Sequence, residues 1–297
     1  MIDEKYVKTV WVIIPTWNRK DDLLKCLASI QVSDYPHIKT IVFDNCSEDG
    51  SVDAVRNKFP EIMVIDFHKN TGTAFAVNQG FKIAMEQGAD YLLRLDNDIF
   101  VDPQMISLLV KAINDLPQAG MVFPKILRYD DPDTIWYTGA NSHPLLLISR
   151  VKNYNAKDEH KNEIAQVDFA PVAAMLMSPK LIQETGGFDE VYFTYFDDFD
   201  LCLRSKQRGF KIYYIPEAKA LHKIGSDKLS SWGTKQFYRG KMLFYLRNTR
   251  GIHKIFLVMY AFIYVIYRSI FFSEPIILAM RGLISGLKHP NKVLYSI

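Results

Sequence analysis

At 297 residues, with 48% hydrophobic and 23% charged side chains, the sequence has an ordinary globular composition, which excludes a disordered, collagen-like or disulfide-stapled chain. Cys26, Cys46 and Cys202 are scattered without CxxC spacing, so neither a zinc site nor a disulfide framework is indicated. The net charge of +3 hides an asymmetry: residues 223–297 hold twelve Lys and Arg against two Asp and Glu, and the preceding part is acidic.

Taken in chain order, short β-branched runs alternate with amphipathic stretches. Strands are predicted at 10–15, 38–43, 62–67 and 91–95, and helices at 21–30, 52–58 and 75–87. This alternation predicts a parallel sheet covered by helices, with ligands beyond the carboxyl ends of the strands. The segments after Pro15, Phe43, Phe67 and Leu95 are therefore where chemistry is expected. From 121 to 222 the pattern is less regular: strand-like pieces at 135–137 and 212–215, a helix at 179–185, and a polar stretch at 153–163 that reads as an exposed loop. Residues 255–267 and 275–287 are apolar, with Arg268 between them, and basic residues flank the pair. They predict two interfacial helices meeting anionic lipid, with core packing, a dimer contact or a tilted span over 253–272 as the alternatives. Met1 to Lys5 leads into only a short apolar run, so the expected compartment is the reducing cytosol. The basic excess lies beside aliphatic and aromatic residues and forms no groove-reading or stacking motif, so no nucleic-acid partner is expected.

Asp96 and Asp98 fall where a strand ends, and two carboxylates there suit magnesium or manganese, with a diphosphate and water completing the shell. Spacing alone is weak, since Asp131/Asp133 and Asp198/Asp200 share it. The turn at 70–80 offers small residues and free backbone N–H groups to an anion or ribose, or it merely caps a helix. Asp49 or Ser51 equally caps the next one. Aromatic residues surround Asp197, Asp198 and Asp200, which suits either a desolvated general base or an acidic helix start. His222 is either a lone structural histidine or a third metal ligand.

In their order, Ile13-Ile-Pro-Thr-Trp-Asn-Arg19, Asp44-Asn-x-Ser-x-Asp-Gly-Ser51, Asn70-x-Gly72, Asp96-Asn-Asp98, Gly186-Gly-Phe-Asp189, Tyr195-Phe-Asp-Asp-Phe-Asp-Leu201 and His222 closely resemble family 2 glycosyltransferases. Within that family the sequence looks most like the rhamnosyltransferase-like branch of bacterial cell-surface polysaccharide synthesis, over about residues 10–250. The resemblance implies an α/β GT-A fold: a nucleotide-sugar-binding half at 1–120, an acceptor and catalytic-base half at 121–232, and a basic, apolar helical tail at 233–297. It implies that Pro15, Thr16, Asn18 and Arg19 line the nucleotide pocket, that Asp44 meets the base, and that Gly72 and Asn78 lie near the nucleotide-sugar. Asp96 would face ribose or sugar, Asp98 and His222 would hold a divalent cation (Mn or Mg), and Asp198 would be the base. Asp197 stands where the family has Glu, and would share the base role or orient the helix. Thr73, Val77 and the charged Arg94 also depart from the pattern. The implied partners are a dTDP or UDP sugar donor, a lipid-linked glycan acceptor and the inner face of the cell membrane. The readings to be separated from this are nucleotidyl transfer to a sugar phosphate, which releases pyrophosphate, and a non-catalytic nucleotide-sugar or glycan-binding subunit.

Overall fold

The computed structural model describes residues 8–143, 146–147, 149–159, 163–171, 173–225 and 229–292. In the first third, strands β1 (Val10–Thr16), β2 (Ile38–Asp44), β3 (Met63–Asp66) and β4 (Tyr91–Leu95) alternate with helices α1 (Lys20–Gln31), α2 (Ser51–Lys58) and α3 (Thr73–Glu86). Every residue of β1 is buried, as expected for a strand covered on both faces. Leu23, Cys26, Leu27 and Ile30 give α1 its buried stripe at helical spacing.

The chain continues through β5 (Ile99–Val101), α4 (Met105–Asp115), β6 (Ala119–Arg128), β7 (Ile135–Tyr137), β8 (Ala140–Ser142), β9 (Ser149–Val151), β10 (Ala165–Val167) and β11 (Ala174–Met177). After these come α5 (Pro179–Thr185), α6 (Asp197–Gln207), β12 (Lys211–His222), α7 (Ser231–Asn248), α8 (Gly251–Phe272) and α9 (Ile276–Lys288). One ten-stranded sheet runs β10-β12-β6-β11-β4-β1-β2-β3, with β5 and β7 pairing β12 and β6 off that path. β1 to β4 are mutually parallel, and β11 is inserted antiparallel between β4 and β6. The sheet is therefore continuous across residue 120, and both halves share it.

Three expectations are corrected here. The strand predicted at 212–215 runs on past Pro216 to His222, because a register shift between Ile215 and Lys219 absorbs the proline. The stretch at 153–163 is not wholly an exposed loop: within its described part, Asp158 folds inward and takes Lys125 Nζ at 2.7 Å, both side chains about 2% exposed. Arg268 does not divide the tail, since its guanidinium lies over the Phe272 ring and bonds Glu274 at 3.2 Å while α8 continues to Phe272.

A second core joins the tail to residues 191–199, with Tyr192, Phe196, Tyr238, Met242, Phe244, Leu257 and Leu283 among its members. α9 lies against α7 so closely that a Cβ on Gly282 would stand 2.4 Å from the Lys235 carbonyl. α8 buries only Leu257, Ala261 and Val265. Its other faces leave Ile252, Ile255, Phe256, Met259, Ile263 and Ile270 exposed.

Candidate active site

The carboxyl ends of β1, β2 and β4 converge on a cavity of about 420 Å3. Its β1 wall is Pro15, Thr16, Trp17 and Arg19; Asn45, Asn70, Gly72 and Thr73 come from the neighbouring loops. Asp96 and Asn97 form the β4 side, and Phe193, Thr194, Ser230 and Trp232 close it from the segment before α6 and the start of α7. Asn97 Nδ2 donates to Thr16 Oγ1 at 2.7 Å, locking the two strand ends together.

Asn18 and Asp44 serve this wall from behind. Asn18 Oδ1 accepts the Glu48 N–H and its own N–H donates to Ser47 Oγ, so the β1 loop is tied to the β2 loop. Asp49 completes the tie by accepting the backbone N–H groups of Lys20 and Ser51. Asp44 is buried at the end of β2; its Oδ2 accepts the Ser47 N–H, and its Oδ1 has no hydrogen-bond partner among the described residues. A buried carboxylate oxygen without a donor is costly.

Part of the turn before α3 is already bonded within the protein, beginning with the Thr71 N–H on Asn45 Oδ1. Asn70 Oδ1 accepts the Gly72 N–H, and the Phe193 carbonyl accepts the Thr73 N–H. Gly72 has φ +83°, and a Cβ there would stand 2.7 Å from the Phe193 carbonyl oxygen. Gly72→Ala is therefore expected to force this turn apart, with a loss of about 1–3 kcal/mol; a fall in melting temperature together with weakened nucleotide binding checks it. Asn78, expected near the nucleotide-sugar, lies outside the cavity lining. Its amide grips the Phe188 backbone from both ends and Glu190 Oε1 at 3.1 Å, which fixes the Gly186-Gly-Phe-Asp189 turn outside the cavity wall.

Below the cavity, Asp98 Oδ1 lies 3.3 Å from His222 Nε2 and Asp98 Oδ2 lies 3.1 Å from Arg19 Nη2. Strand pairing creates this meeting, because His222 ends β12 opposite Ile99 of β5, just after Asp98. Trp136 packs edge-on against the His222 ring with centroids 4.3 Å apart. Burial alone raises the Asp98 carboxyl, but the His222 hydrogen bond and charge, together with Arg19, outweigh it and hold the carboxyl below its usual range. Among the described residues no three His, Cys, Asp or Glu side chains converge. A carboxylate and an imidazole side by side still fit Mg or Mn when phosphate oxygens and water fill the other positions.

The third group is at the start of α6. Phe193, Tyr195 and Phe196 hold φ of +63°, +60° and +68°, a run rare for bulky residues and strained. Packing of Phe193 on Trp232, and of Tyr195 and Phe196 on Phe237, fixes it. The run delivers buried Asp197 and half-buried Asp198 to the first turn of α6. Burial first, then the Asp197 charge, pushes the Asp198 carboxyl up to about 7. Burial also raises Asp197, against the pull of Arg94. Arg94, the charged residue in β4, bonds Asp96 Oδ1 at 2.7 Å and carries its charge toward both α6 carboxylates. Asp200, of the same acidic run, is absorbed by Arg204, Tyr192 and Asn248 and is structural.

The structure thus brings Pro15, Thr16, Arg19, Gly72 and Asp96 to the cavity and Asp98 with His222 beneath it. Asn18, Asp44, Asp197 and Asp198 stand outside its lining. Ser230 and Trp232 are among the wall residues to which the sequence assigned no role, with Phe193 and Thr194; Ser230 caps α7 by accepting the Gly233 N–H, a pattern visible in the sequence, but its proximity to β1 is purely tertiary.

Sheet, cavity and carboxylates define a glycosyltransferase of the GT-A fold. Residues 11–180 match the family described as Glycosyl transferase family 2, and the chain belongs to that family. It is similar to the N-acetylglucosaminyl-diphospho-decaprenol L-rhamnosyltransferase of Mycobacterium tuberculosis (strain ATCC 25618 / H37Rv), 26% identical over 232 residues, 71% of this chain and 75% of that protein. It is likewise similar to rhamnosyltransferase WbbL of Escherichia coli (strain K12), 25% identical over 272 residues, 83% of this chain and 99% of that protein. Among solved structures, mannosyltransferase PcManGT from Pyrobaculum calidifontis in complex with GDP-Man and Mn2+ shares the fold. Its TM-score is 0.61 at 14% identity, covering 95% of this chain and 88% of that one.

Proposed function

We propose that the protein is an inverting rhamnosyltransferase that moves rhamnose from dTDP-rhamnose to a lipid-linked glycan at the inner membrane face. One observation carries the reading: the turn after β4 sets Asp96 in the cavity wall and Asp98 against His222, so sugar and diphosphate are received side by side. The names of the two relatives support rhamnose, and that of the mycobacterial one supports a diphospho-polyprenol acceptor bearing N-acetylglucosamine.

Asp44, beside the wall residue Asn45, stands on the base side of the pocket, and Asp96 meets ribose or sugar. Asp98 and His222 would hold a divalent cation, which supplies stabilisation of the negative charge on the departing diphosphate. Arg19, already at Asp98, lies at the cavity wall where it can turn to the same phosphates. Asp198, with Asp197 beside it, takes the proton of the acceptor hydroxyl. The hydroxyl oxygen then bonds the anomeric carbon from the face opposite the diphosphate, the carbon–phosphate-oxygen bond breaks, and the configuration inverts. The test is thermal stability with dTDP, UDP and GDP, each with and without manganese. The reading expects a manganese-dependent rise with dTDP, and equal shifts with all three nucleotides would count against the donor.

The exposed apolar faces of α8 and α9 are proposed to lie in the bilayer interface, with Arg250 and Lys254 toward anionic lipid, whereas Arg247 is held by Asp189. α8, at 22 residues, is long and apolar enough to cross a membrane. Its buried stripe against α7 and α9 supports lying along the surface instead. Deleting the tail would uncover α7, so the clean variant is the pair Ile255→Glu and Ile263→Glu on the exposed face. At roughly 1.5–3 kcal/mol per buried isoleucine, vesicle affinity is expected to fall at least about tenfold; sedimentation with anionic vesicles reads it.

A further inference from the structure

A second cavity, of about 410 Å3, opens between α7, α8 and the turn into α9, where Phe237, Tyr238, Tyr264, Arg268, Phe272 and Glu274 form its walls. It shares the first turn of α7 with the donor cavity: Ser230 and Trp232 face the donor side, Leu229 and Thr234 this side. Phe272 carries its rim onto the exposed apolar surface, which Phe271, Ile276 and Ile277 continue. The cavity therefore lies between the first turn of α7, whose other side lines the donor cavity, and the face proposed to meet lipid.

Behind Tyr264 lies Lys241, 5% exposed. Its Nζ stands 3.6 Å from the centroid of the Tyr264 ring, and among the described residues it has neither a hydrogen bond nor an ion pair. Burial, with Arg268 adding to it and Glu274 opposing it, pushes the ammonium down to about 7. An ammonium buried without an anion costs several kcal/mol, and a methionine would fill the same space without that cost. Arg268 lies one turn beyond Tyr264 on the same face of α8 and is held by Glu274. Two basic groups and one carboxylate thus stand together: Arg268 and Glu274 line the cleft, and Lys241 lies behind the Tyr264 ring, where an arriving anion would favour its charged form.

We infer that this cleft binds the phosphate or diphosphate head of the lipid acceptor, with Lys241 as its buried counter-ion. The polyprenyl chain leaves past Phe272 along α8, and the acceptor sugar points across the first turn of α7 toward Asp198. The assignment rests on the proposed lipid-linked acceptor.

Lys241→Met and Arg268→Gln test it through binding to phosphatidylcholine vesicles with and without polyprenyl diphosphate, with phosphatidylglycerol vesicles and inorganic pyrophosphate as separate arms. Wild type is expected to prefer the diphosphate lipid. Each variant should lose about ten- to a hundredfold of that preference, the worth of one charge-assisted contact. Lys241→Met should melt no lower than wild type and keep its dTDP-dependent stabilisation, which a merely structural lysine would not allow. Equal preference in wild type and both variants overturns the cleft. So does wild-type binding to phosphatidylglycerol as strong as to the diphosphate lipid, or a response to pyrophosphate with no preference for doped vesicles. Transfer assays on the same preparations keep the two readings apart: variants with unchanged lipid preference and intact transfer reject the cleft alone. Wild type that prefers the lipid but transfers no sugar rejects the transfer reading.

Discussion

Replacing Asp198 by Asn is expected to lower kcat roughly a hundred- to ten-thousand-fold, the range contributed by general base catalysis, while nucleotide binding stays near wild type. Asn is nearly isosteric and still accepts the Phe199 N–H that Asp198 Oδ1 now accepts at 2.8 Å, so the first turn of α6 should persist. The wild-type carboxyl, pushed up to about 7, must be deprotonated to act. Activity should therefore fall as pH drops below about 7 and level off above it. Stability runs the other way. A carboxyl whose folded value lies above its unfolded value of about 4 favours the folded state at low pH, and that contribution is lost as pH rises through about 7. The Asn variant should accordingly melt higher than wild type at pH 8, a gain of stability at the expense of activity that marks a residue kept for chemistry. Full activity in the variant would remove Asp198 from the base role and leave Asp197 as the candidate.

Asp98→Ala should abolish manganese-dependent nucleotide binding and with it most turnover. In wild type, a nucleotide at a hundred times its dissociation constant stabilises the fold by about 2.7 kcal/mol. The variant removes the carboxylate facing both His222 and Arg19, so the manganese-dependent part of that shift should vanish. The fold should survive, because His222 keeps its place in β12 and its packing on Trp136. A manganese response of wild-type size in Asp98→Ala would move the cation elsewhere.

The first four strands were legible because each carries a short apolar, β-branched run bounded by turn residues, as in Val10 to Pro15, although Lys39 and Thr40 interrupt β2 and Arg94 interrupts β4. β6 was not. Pro124 and Lys125 lie in its middle and argue against a strand, yet Pro124 faces Ile215 where the β12 register shifts, and Lys125 finds its counter-ion in Asp158, over thirty residues on. β11 is only Ala174–Met177, too short a run to declare itself, although β4 and β6 flank it. At the site, Asp96 and Asp98 could be read from their position after a buried strand. That His222 joins Asp98 depends on β12 passing Pro216, which local pattern conceals. Asn78 sits in a motif whose placement suggested donor contact, and only the fold shows its amide bound to the Phe188 turn. Lys241 is the reverse case: an unremarkable lysine in sequence, it becomes informative once its burial against Tyr264 is seen.

The central claim is tested most directly by incubating the purified chain with dTDP-rhamnose, manganese and an N-acetylglucosamine-diphospho-polyprenol, and following acceptor and nucleotide together by mass spectrometry. The account predicts an acceptor heavier by one deoxyhexose and an equal amount of dTDP, both lost in Asp198→Asn. Release of pyrophosphate, or nucleotide binding with no glycosylated acceptor from any of the dTDP, UDP and GDP sugars, would contradict it.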